Sequence, residues 1–304
     1  MRDFENGLKE VINRASAGGV RRILVPGIDI ETSQLSIQLC EKFPEYLFAA
    51  VGIHPNHSTG IEQADFNSLV SLISHPKVVA IGEIGLDFFR EKASEEDQIY
   101  VFNKMLSFSR ESEKPVCIHN RNSDNKIIEI LDSWYSDLKE SKSSLIKRPG
   151  VFHSFDGSAT ILDWALTHNF YLGISGPVTF LKSYDLQKKI KKIDIAHLLI
   201  ETDAPFLSPH PFRGKRNEPL NVKIICKKIA EIKQLDLEDV ISKTSENAST
   251  LFGWKVFKIK NHSNGFLLCA GGDLNPHALR HMALNHACLP IPAPARRITN
   301  YNRQ

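Results

Sequence analysis

The feature that most constrains the fold is a repeated alternation of short apolar runs with longer polar segments of helical period. Seven runs are apolar over several consecutive positions and rich in β-branched residues. Continuous apolar runs are typical of strands buried on both faces, and strands separated by helices indicate βαβ units in a parallel sheet. The seven runs are residues 23–28, 47–54, 78–86, 116–119, 151–155, 171–175 and 198–202.

The segments between these runs predict helices, and the sequence opens directly in one of them. A closed barrel of alternating strands and helices needs eight strands, so the missing strand would be the first. Seven strands also fit a doubly wound open sheet, and periodicity alone does not decide between the two. The predicted helices include residues 4–17, 95–111, 125–138 and 159–167, then 218–235 and 237–251, with Asp236 as a cap of the last.

The chain of 304 residues is long enough for one large α/β domain and an extension. We predict a single barrel domain over residues 1–254. Residues 255–304 combine Gly271-Gly272 with a proline-rich stretch at 289–294 and show no amphipathic period. This composition predicts a low-structure, disordered C-terminal extension.

The extension also contains residues that are common zinc ligands. Two of its histidines have the i, i+4 spacing of a helical ligand pair. We favour a different interpretation, because the run Gly-Gly-Asp-Leu-Asn-Pro-His resembles peptides made when a reading frame continues into a neighbouring RNA gene. The residues in question are Cys269, His277, His281, His286 and Cys288.

Charge and cysteine content restrict the function less than the strand pattern does. A formal net charge of +3 argues neither for nor against nucleic acid, so a nuclease would need a local basic rim. The five cysteines show no metal-ligand spacing, which suits a reducing compartment. No stretch approaches about 18 apolar residues. We therefore expect a cytoplasmic protein that has no membrane partner.

Polar residues recur where the predicted strands end. Because catalytic groups of a barrel come from the carboxyl ends of several strands, these side chains are expected to converge. Imidazole and carboxylate form a ligand set suited to Zn²⁺, Mn²⁺ or Mg²⁺. A lone strand-end histidine is more often a hydrogen-bonded residue, but a carboxylate inside an apolar strand is costly without a cation or donors. The residues are His54, Glu83, His119, His153 and Asp203.

Six ordered motifs contain these residues and resemble those of TatD-type metal-dependent deoxyribonucleases. The similarity covers about residues 3–254, and six motifs in order are far more specific than one. The motifs are Gly-Ile-His-Pro at 52–55, Ala-Ile-Gly-Glu-Ile-Gly-Leu-Asp at 80–87, Ile-His-Asn-Arg at 118–121, Phe-His-Ser-Phe-Asp-Gly at 152–157, Ile-Glu-Thr-Asp-Ala-Pro at 200–205 and Arg-Asn-Glu-Pro at 216–219.

The resemblance implies a (β/α)8 TIM-type barrel that hydrolyses DNA phosphodiesters with two divalent metal ions. It implies that Glu83 bridges the metals, that His119 and His153 complete one site, and that Asp203 belongs to the other. It also places His54 beside the metals near the substrate. The resemblance thus gives Glu83, Asp203 and His54 as catalytic residues, and Asp203 is expected to orient or deprotonate the attacking water.

Two arginines in the motifs are candidate phosphate contacts, and one motif of the family is not found. Arg121 and Arg216 suit phosphate, although exposed arginines are often merely solvated. Family members carry His-x-His on the first strand, whereas residues 3–4 already resemble the segment that follows that pair. We therefore expect about one metal here, with a start assigned too far downstream as the favoured explanation and His57 as the nearest substitute ligand.

Two other functions remain open at this stage. The first is a small-molecule amidohydrolase on the same barrel, but many such enzymes bridge their metals with a carboxylated lysine, and Glu83 at that position favours a phosphodiesterase. The second is a binding protein left inactive by loss of the first strand. Metal content per chain separates this last function from the two enzymes.

Overall fold

All seven predicted strands are present in the protein, which we describe from a computed structural model. The structure describes residues 7–90 and 92–254 with their side chains and residues 286–288 as backbone. The strands end within a few residues of the predicted limits. They are β1 Arg22–Pro26, β2 Leu47–Val51, β3 Val78–Asp87, β4 Val116–Arg121, β5 Gly150–Phe152, β6 Tyr171–Ile174 and β7 Leu198–Ile200.

Helices alternate with the strands as the periodicity predicts, and a side-chain cap is present at the starts of α2, α4, α6 and α9. Asp236 accepts a hydrogen bond from the backbone N–H of Glu238, so the predicted cap of the last helix is confirmed. The helix predicted from residue 218 begins later, because residues Pro219–Asn221 form a 3-10 turn. The helices are α1 Leu8–Ala17, α2 Ile30–Lys42, α3 Gln63–Ile73, α4 Glu95–Ser112, α5 Asp124–Glu140, α6 Ala159–Thr167, α7 Tyr184–Lys192, α8 Val222–Lys233 and α9 Leu237–Phe252.

Strand order decides between the two architectures that periodicity left open. Strands β1 to β7 are parallel and each pairs with the next in sequence. A doubly wound sheet reverses its strand order, so that architecture is excluded. The sheet is a curled half-barrel of the (β/α)8 type with seven consecutive strands, and the fold prediction is confirmed.

The edge of the sheet at β1 is paired by a short strand from the far end of the chain. Strand β8, His286–Cys288, runs parallel to β1. Within the described residues no strand precedes α1. Of the tail residues considered for zinc binding, Cys269, His277 and His281 lie outside the described residues, as do the side chains of His286 and Cys288.

The two faces of the sheet are buried against different partners. One face packs on the helices that surround the sheet, which form most of the core. The other face presents small and medium side chains and is covered by Phe252, the last residue of α9, and by Trp254 just beyond it. Trp254 lies 5.0 Å from the ring of Phe48 and is 6% exposed. The inner face is therefore closed by apolar residues before the strands reach their polar ends.

No helix in the described part of the chain is both long and apolar enough to cross a membrane.

Candidate metal centre

The five predicted strand-end residues meet at the carboxyl end of the sheet, with Glu83 at the centre. The Oε1 atom of Glu83 lies 3.0 Å from Nδ1 of His119 and 3.7 Å from Nε2 of His54. His153 acts on Glu83 through its charge, and its Nε2 lies 3.4 Å from Oδ1 of Asp203. The structure thus brings all five together, as the sequence predicts.

The position of His119 follows from the register between β3 and β4. His119 pairs with Gly85, and residues 83, 85 and 87 project from the same side of β3. Glu83 and Asp87 therefore flank the imidazole, whose Nε2 lies 3.2 Å from Oδ2 of Asp87. Gly85 has a φ of +138°, and a Cβ at this position would lie 2.0 Å from the carbonyl oxygen of His119. The glycine is required for this close approach.

Asp87 is itself held by donors on both carboxylate oxygens. Its Oδ2 accepts from the side-chain amide of Asn56 at 3.2 Å. Its Oδ1 accepts from the backbone N–H groups of Phe89 and Arg90, both at 3.1 Å. The carboxylate is fully buried. The side-chain amide of Gln98, from α4, accepts a hydrogen bond from the backbone N–H of Asp87 and donates one to its carbonyl. His119 is therefore oriented by a fixed partner.

His153 is held in a different way, by a carboxylate that reaches across a whole strand. Its Nδ1 lies 3.0 Å from Oε1 of Glu201, and the same oxygen accepts from the backbone N–H of Ser154. Glu201 follows β7 and His153 follows β5, so β6 lies between them. The intervening residue is Gly173, where a Cβ would lie 2.5 Å from Oε2 of Glu201. The absent side chain leaves the space that Glu201 occupies.

The hydrogen bonding of His54 distinguishes it from the other two histidines. Its Nδ1 accepts from the backbone N–H of Asn56 at 3.1 Å. Burial lowers the pKa of His54 to about 3, so the ring is neutral and its proton is on Nε2, facing Glu83. His54 also offers a ring nitrogen within 4.8 Å of the ligand atoms of Glu83 and His119, so the geometry of these three residues could hold a metal ion.

The charges of the cluster are strongly coupled. Burial opposes ionisation of Glu83, yet the charge of His153 and the hydrogen bond with His119 hold its pKa below the usual range. Burial also opposes protonation of His119 and His153, but their carboxylate partners raise both pKa values. Burial raises the pKa of Asp203, and the contact with His153 offsets this only in part.

The donor set and its charge balance fit a divalent cation. Four carboxylates lie in the cluster, whereas the cationic groups that contact them among the described residues are at most three. Buried negative charge in excess is costly unless a cation compensates it. Nitrogen and oxygen donors together suit Zn²⁺, Mn²⁺ or Mg²⁺. The carboxylates are Glu83, Asp87, Glu201 and Asp203, and the cationic groups are His119, His153 and Arg90.

The predicted phosphate contacts lie around this cluster rather than in it. The guanidinium of Arg121 stacks 4.0 Å above the ring of Phe89. Arg216 lies 3.1 Å from Oε1 of Glu218, with 46% of its side chain exposed. His57, the proposed substitute ligand, has its Nδ1 3.2 Å from Oδ2 of Asp29, so it is engaged outside the group of His54, Glu83 and His119.

The sequence interpretation assigned no role to Asp87 or Glu201, although both stand in the motifs it used. Asp87 lies four residues after Glu83 in one strand, and Glu201 lies two residues before Asp203. An even spacing in extended chain places side chains on the same side. That spacing indicates that both carboxylates lie on the side of the site, but it does not identify the histidines as their partners.

Comparison with known proteins gives a consistent result over nearly the whole described chain. The model of the family described as TatD related DNase matches residues 1–253. The uncharacterized metal-dependent hydrolase YabD of Bacillus subtilis is 39% identical over 249 residues, which are 82% of this chain and 94% of that protein.

Two further relatives extend the comparison to a named activity and to a solved structure. The 3'-5' ssDNA/RNA exonuclease TatD of Erwinia amylovora is 31% identical over 255 residues, with 82% of this chain and 95% of that protein covered. The crystal structure of YJJV, a TatD homologue from Escherichia coli, superposes with a TM-score of 0.73 at 27% identity. That match covers 82% of this chain and 93% of the other.

Proposed function

Because this chain belongs to the TatD family of metal-dependent hydrolases, we propose that it is a divalent-metal-dependent nuclease that cleaves phosphodiester bonds of DNA. The observation that carries the proposal is the buried carboxylate of Glu83, which lies among three histidines. Relatives named as 3'-5' ssDNA/RNA exonucleases support single-stranded ends as the substrate.

The residues that would hold the metal are those with a nitrogen or oxygen directed into the cluster. We propose Nδ1 of His119, Nε2 of His153 and the carboxylates of Glu83 and Asp203. The second nitrogen of each histidine is directed to Asp87 or Glu201, as is usual for histidine ligands. When bound, a divalent cation supplies Lewis-acid stabilisation of charge on phosphoryl oxygens.

The remaining steps are assigned to side chains of the chain itself. Asp203 orients the attacking water and accepts its proton. His54 donates from Nε2 to a phosphate oxygen, because its Nδ1 is already engaged by Asn56. Arg121 and Arg216 contact phosphates of the substrate.

The test is cleavage of a 5'-labelled single-stranded oligodeoxynucleotide by the purified chain with Mg²⁺, Mn²⁺ or Zn²⁺. We expect chelation to abolish cleavage and Glu83→Gln to lower it at least about 100-fold, because even partners of metal ligands cost 10–100-fold when removed. The melting temperature of the variant shows that it is folded. Glu45→Gln, in an exposed loop, is the matched control.

Two results would contradict the proposal. One is a cleavage rate for Glu83→Gln close to that of the wild type. The other is metal-dependent hydrolysis of small amide substrates without cleavage of nucleic acid, which would favour the amidohydrolase alternative.

A further inference from the structure

The loop that follows β7 begins at the candidate metal centre and is held rigidly. Its first turn includes a hydrogen bond of 2.8 Å from the backbone N–H of Phe206 to the carbonyl of Asp203. At its far end the side chain of Asn217, fully buried, donates to the carbonyls of Thr202 and Phe206 at 2.6 and 2.7 Å. We call residues 201–217 the β7 loop.

The β7 loop is also fastened to the loop that follows β6. The backbone N–H of His210 donates to the hydroxyl of Thr179 at 2.8 Å. A Cβ at Gly176 would lie 1.8 Å from the carbonyl oxygen of Leu207, so the two backbones are in direct contact. Within the β7 loop, the hydroxyl of Ser208 donates to the carbonyl of Lys215. The surface formed by these loops is therefore fixed before any ligand binds.

This fixed surface exposes apolar rings beside cationic side chains. Phe206 is 52% exposed and Phe212 is 40% exposed, although both belong to a loop with a buried interior. The guanidinium of Arg213 lies 4.6 Å from the ring centre of Phe180, and the ammonium of Lys215 lies 6.0 Å from that of Phe212. We call these five residues, Phe180, Phe206, Phe212, Arg213 and Lys215, the aromatic rim.

The charge of the aromatic rim is of one sign. Residues 204–217 contain Arg213, Lys215 and Arg216 and no acidic residue. Arg216 lies 3.1 Å from Oε1 of Glu218, so the cations that belong to the rim itself are Arg213 and Lys215. Exposed apolar surface on a rigid loop commonly marks a binding site, and the positive charge selects an anionic ligand.

We propose that the aromatic rim binds single-stranded nucleic acid by stacking unpaired bases on Phe206 and Phe212 while Arg213 and Lys215 contact the phosphates. Proteins that bind single strands combine aromatic faces with a positive groove in this way. A duplex offers phosphates but hides the faces of its bases, so the rim discriminates between the two. The inference rests on the proposed nuclease function and adds the surface that recognises its substrate.

The experiment measures binding without catalysis. Fluorescence anisotropy follows a labelled oligothymidylate of about twelve nucleotides, and a duplex of equal length, in excess chelator. We expect Phe206→Ala/Phe212→Ala to weaken single-strand binding at least about tenfold and duplex binding less than about twofold. Phe206→Tyr/Phe212→Tyr should retain single-strand binding, because the aromatic faces remain.

Tyr100→Ala is the matched control, since Tyr100 is an exposed ring on α4 with the ammonium of Lys104 5.8 Å from its centre. It should bind both oligonucleotides like the wild type. Single-strand binding by the double alanine variant within about twofold of wild type would overturn the inference, as would equal losses for single strand and duplex. Tight binding by a chain that cleaves no nucleic acid would contradict the nuclease proposal and leave the rim standing.

Discussion

The two histidines beside Glu83 and Asp203 have the same arrangement of partners but reach it by different routes. His119 lies between Glu83 and Asp87, two residues of the neighbouring strand. His153 lies between Asp203 and Glu201, which come from the second strand along, over β6. The arrangement around His119 depends on the register between β3 and β4. The arrangement around His153 depends on the missing side chain of Gly173 in β6.

A glycine makes each arrangement possible, and the two glycines are not equivalent. At Gly85 the atom that an added Cβ would meet belongs to the backbone of His119, which cannot move without breaking the β3–β4 pairing. At Gly173 it belongs to the carboxylate of Glu201, a side chain. An added side chain is therefore tolerated less well beside His119, where it meets backbone, than beside His153, where it meets a side chain.

The largest effect is expected for Gly85→Ala. Overpacking against fixed backbone costs about 1–3 kcal/mol, and a non-glycine residue at this φ adds about 1–3 kcal/mol. We expect a clear fall in melting temperature and loss of measurable metal binding in calorimetric titration. Gly60→Ala is the control, since Gly60 has a φ of +72° in open space and should cost only about 1 kcal/mol. Equal stability of the two variants would show that Gly85 is not required for the approach of His119.

A smaller effect, on metal affinity, is expected for Asp87→Asn. Both oxygens of Asp87 accept from donors, so an amide group in either orientation directs its own N–H atoms at a donor. Metal affinity, measured by competition with a chelator, should fall by about 100-fold, the upper end of the usual range for losing the hydrogen-bond partner of a metal ligand. Unchanged affinity would mean that His119 is oriented without Asp87.

The smallest effect is expected for Glu201→Gln. Ser154 and His153 both approach Oε1, so the glutamine carbonyl can accept from both with its amide turned away. We expect metal affinity to fall only about tenfold, the lower end of the same range. A loss larger than that of Asp87→Asn would reverse the comparison and place the greater sensitivity on the His153 side.

The individual strands could be predicted from the hydrophobic periodicity of the sequence, but the way in which they pair in the sheet could not. Each strand is an apolar run with its own local signal, so all seven were found from the sequence. The sequential order of β1 to β7 is a property of contacts between distant segments, and it leaves no periodic pattern.

The candidate site was predictable to the same extent. His54, His119, His153 and Asp203 were found because each follows an apolar run, and Glu83 because it is a carboxylate inside one. The orienting carboxylates were missed because their roles depend on the register between strands and on the space left by two glycines. A glycine in a strand signals close approach of another group, but it does not identify that group.

The side chain of Asn217 joins the two ends of the β7 loop and therefore lies between the proposed cation site and the proposed single-strand site. It holds the carbonyl of Thr202, next to Asp203, and that of Phe206 in the aromatic rim. The two proposed sites, the cation at Asp203 and the single strand on the aromatic rim, are therefore connected by one buried side chain, through which binding at one would be coupled to binding at the other. Thermodynamic linkage makes such coupling reciprocal: any factor by which the cation changes affinity for the single strand is the factor by which the single strand changes affinity for the cation.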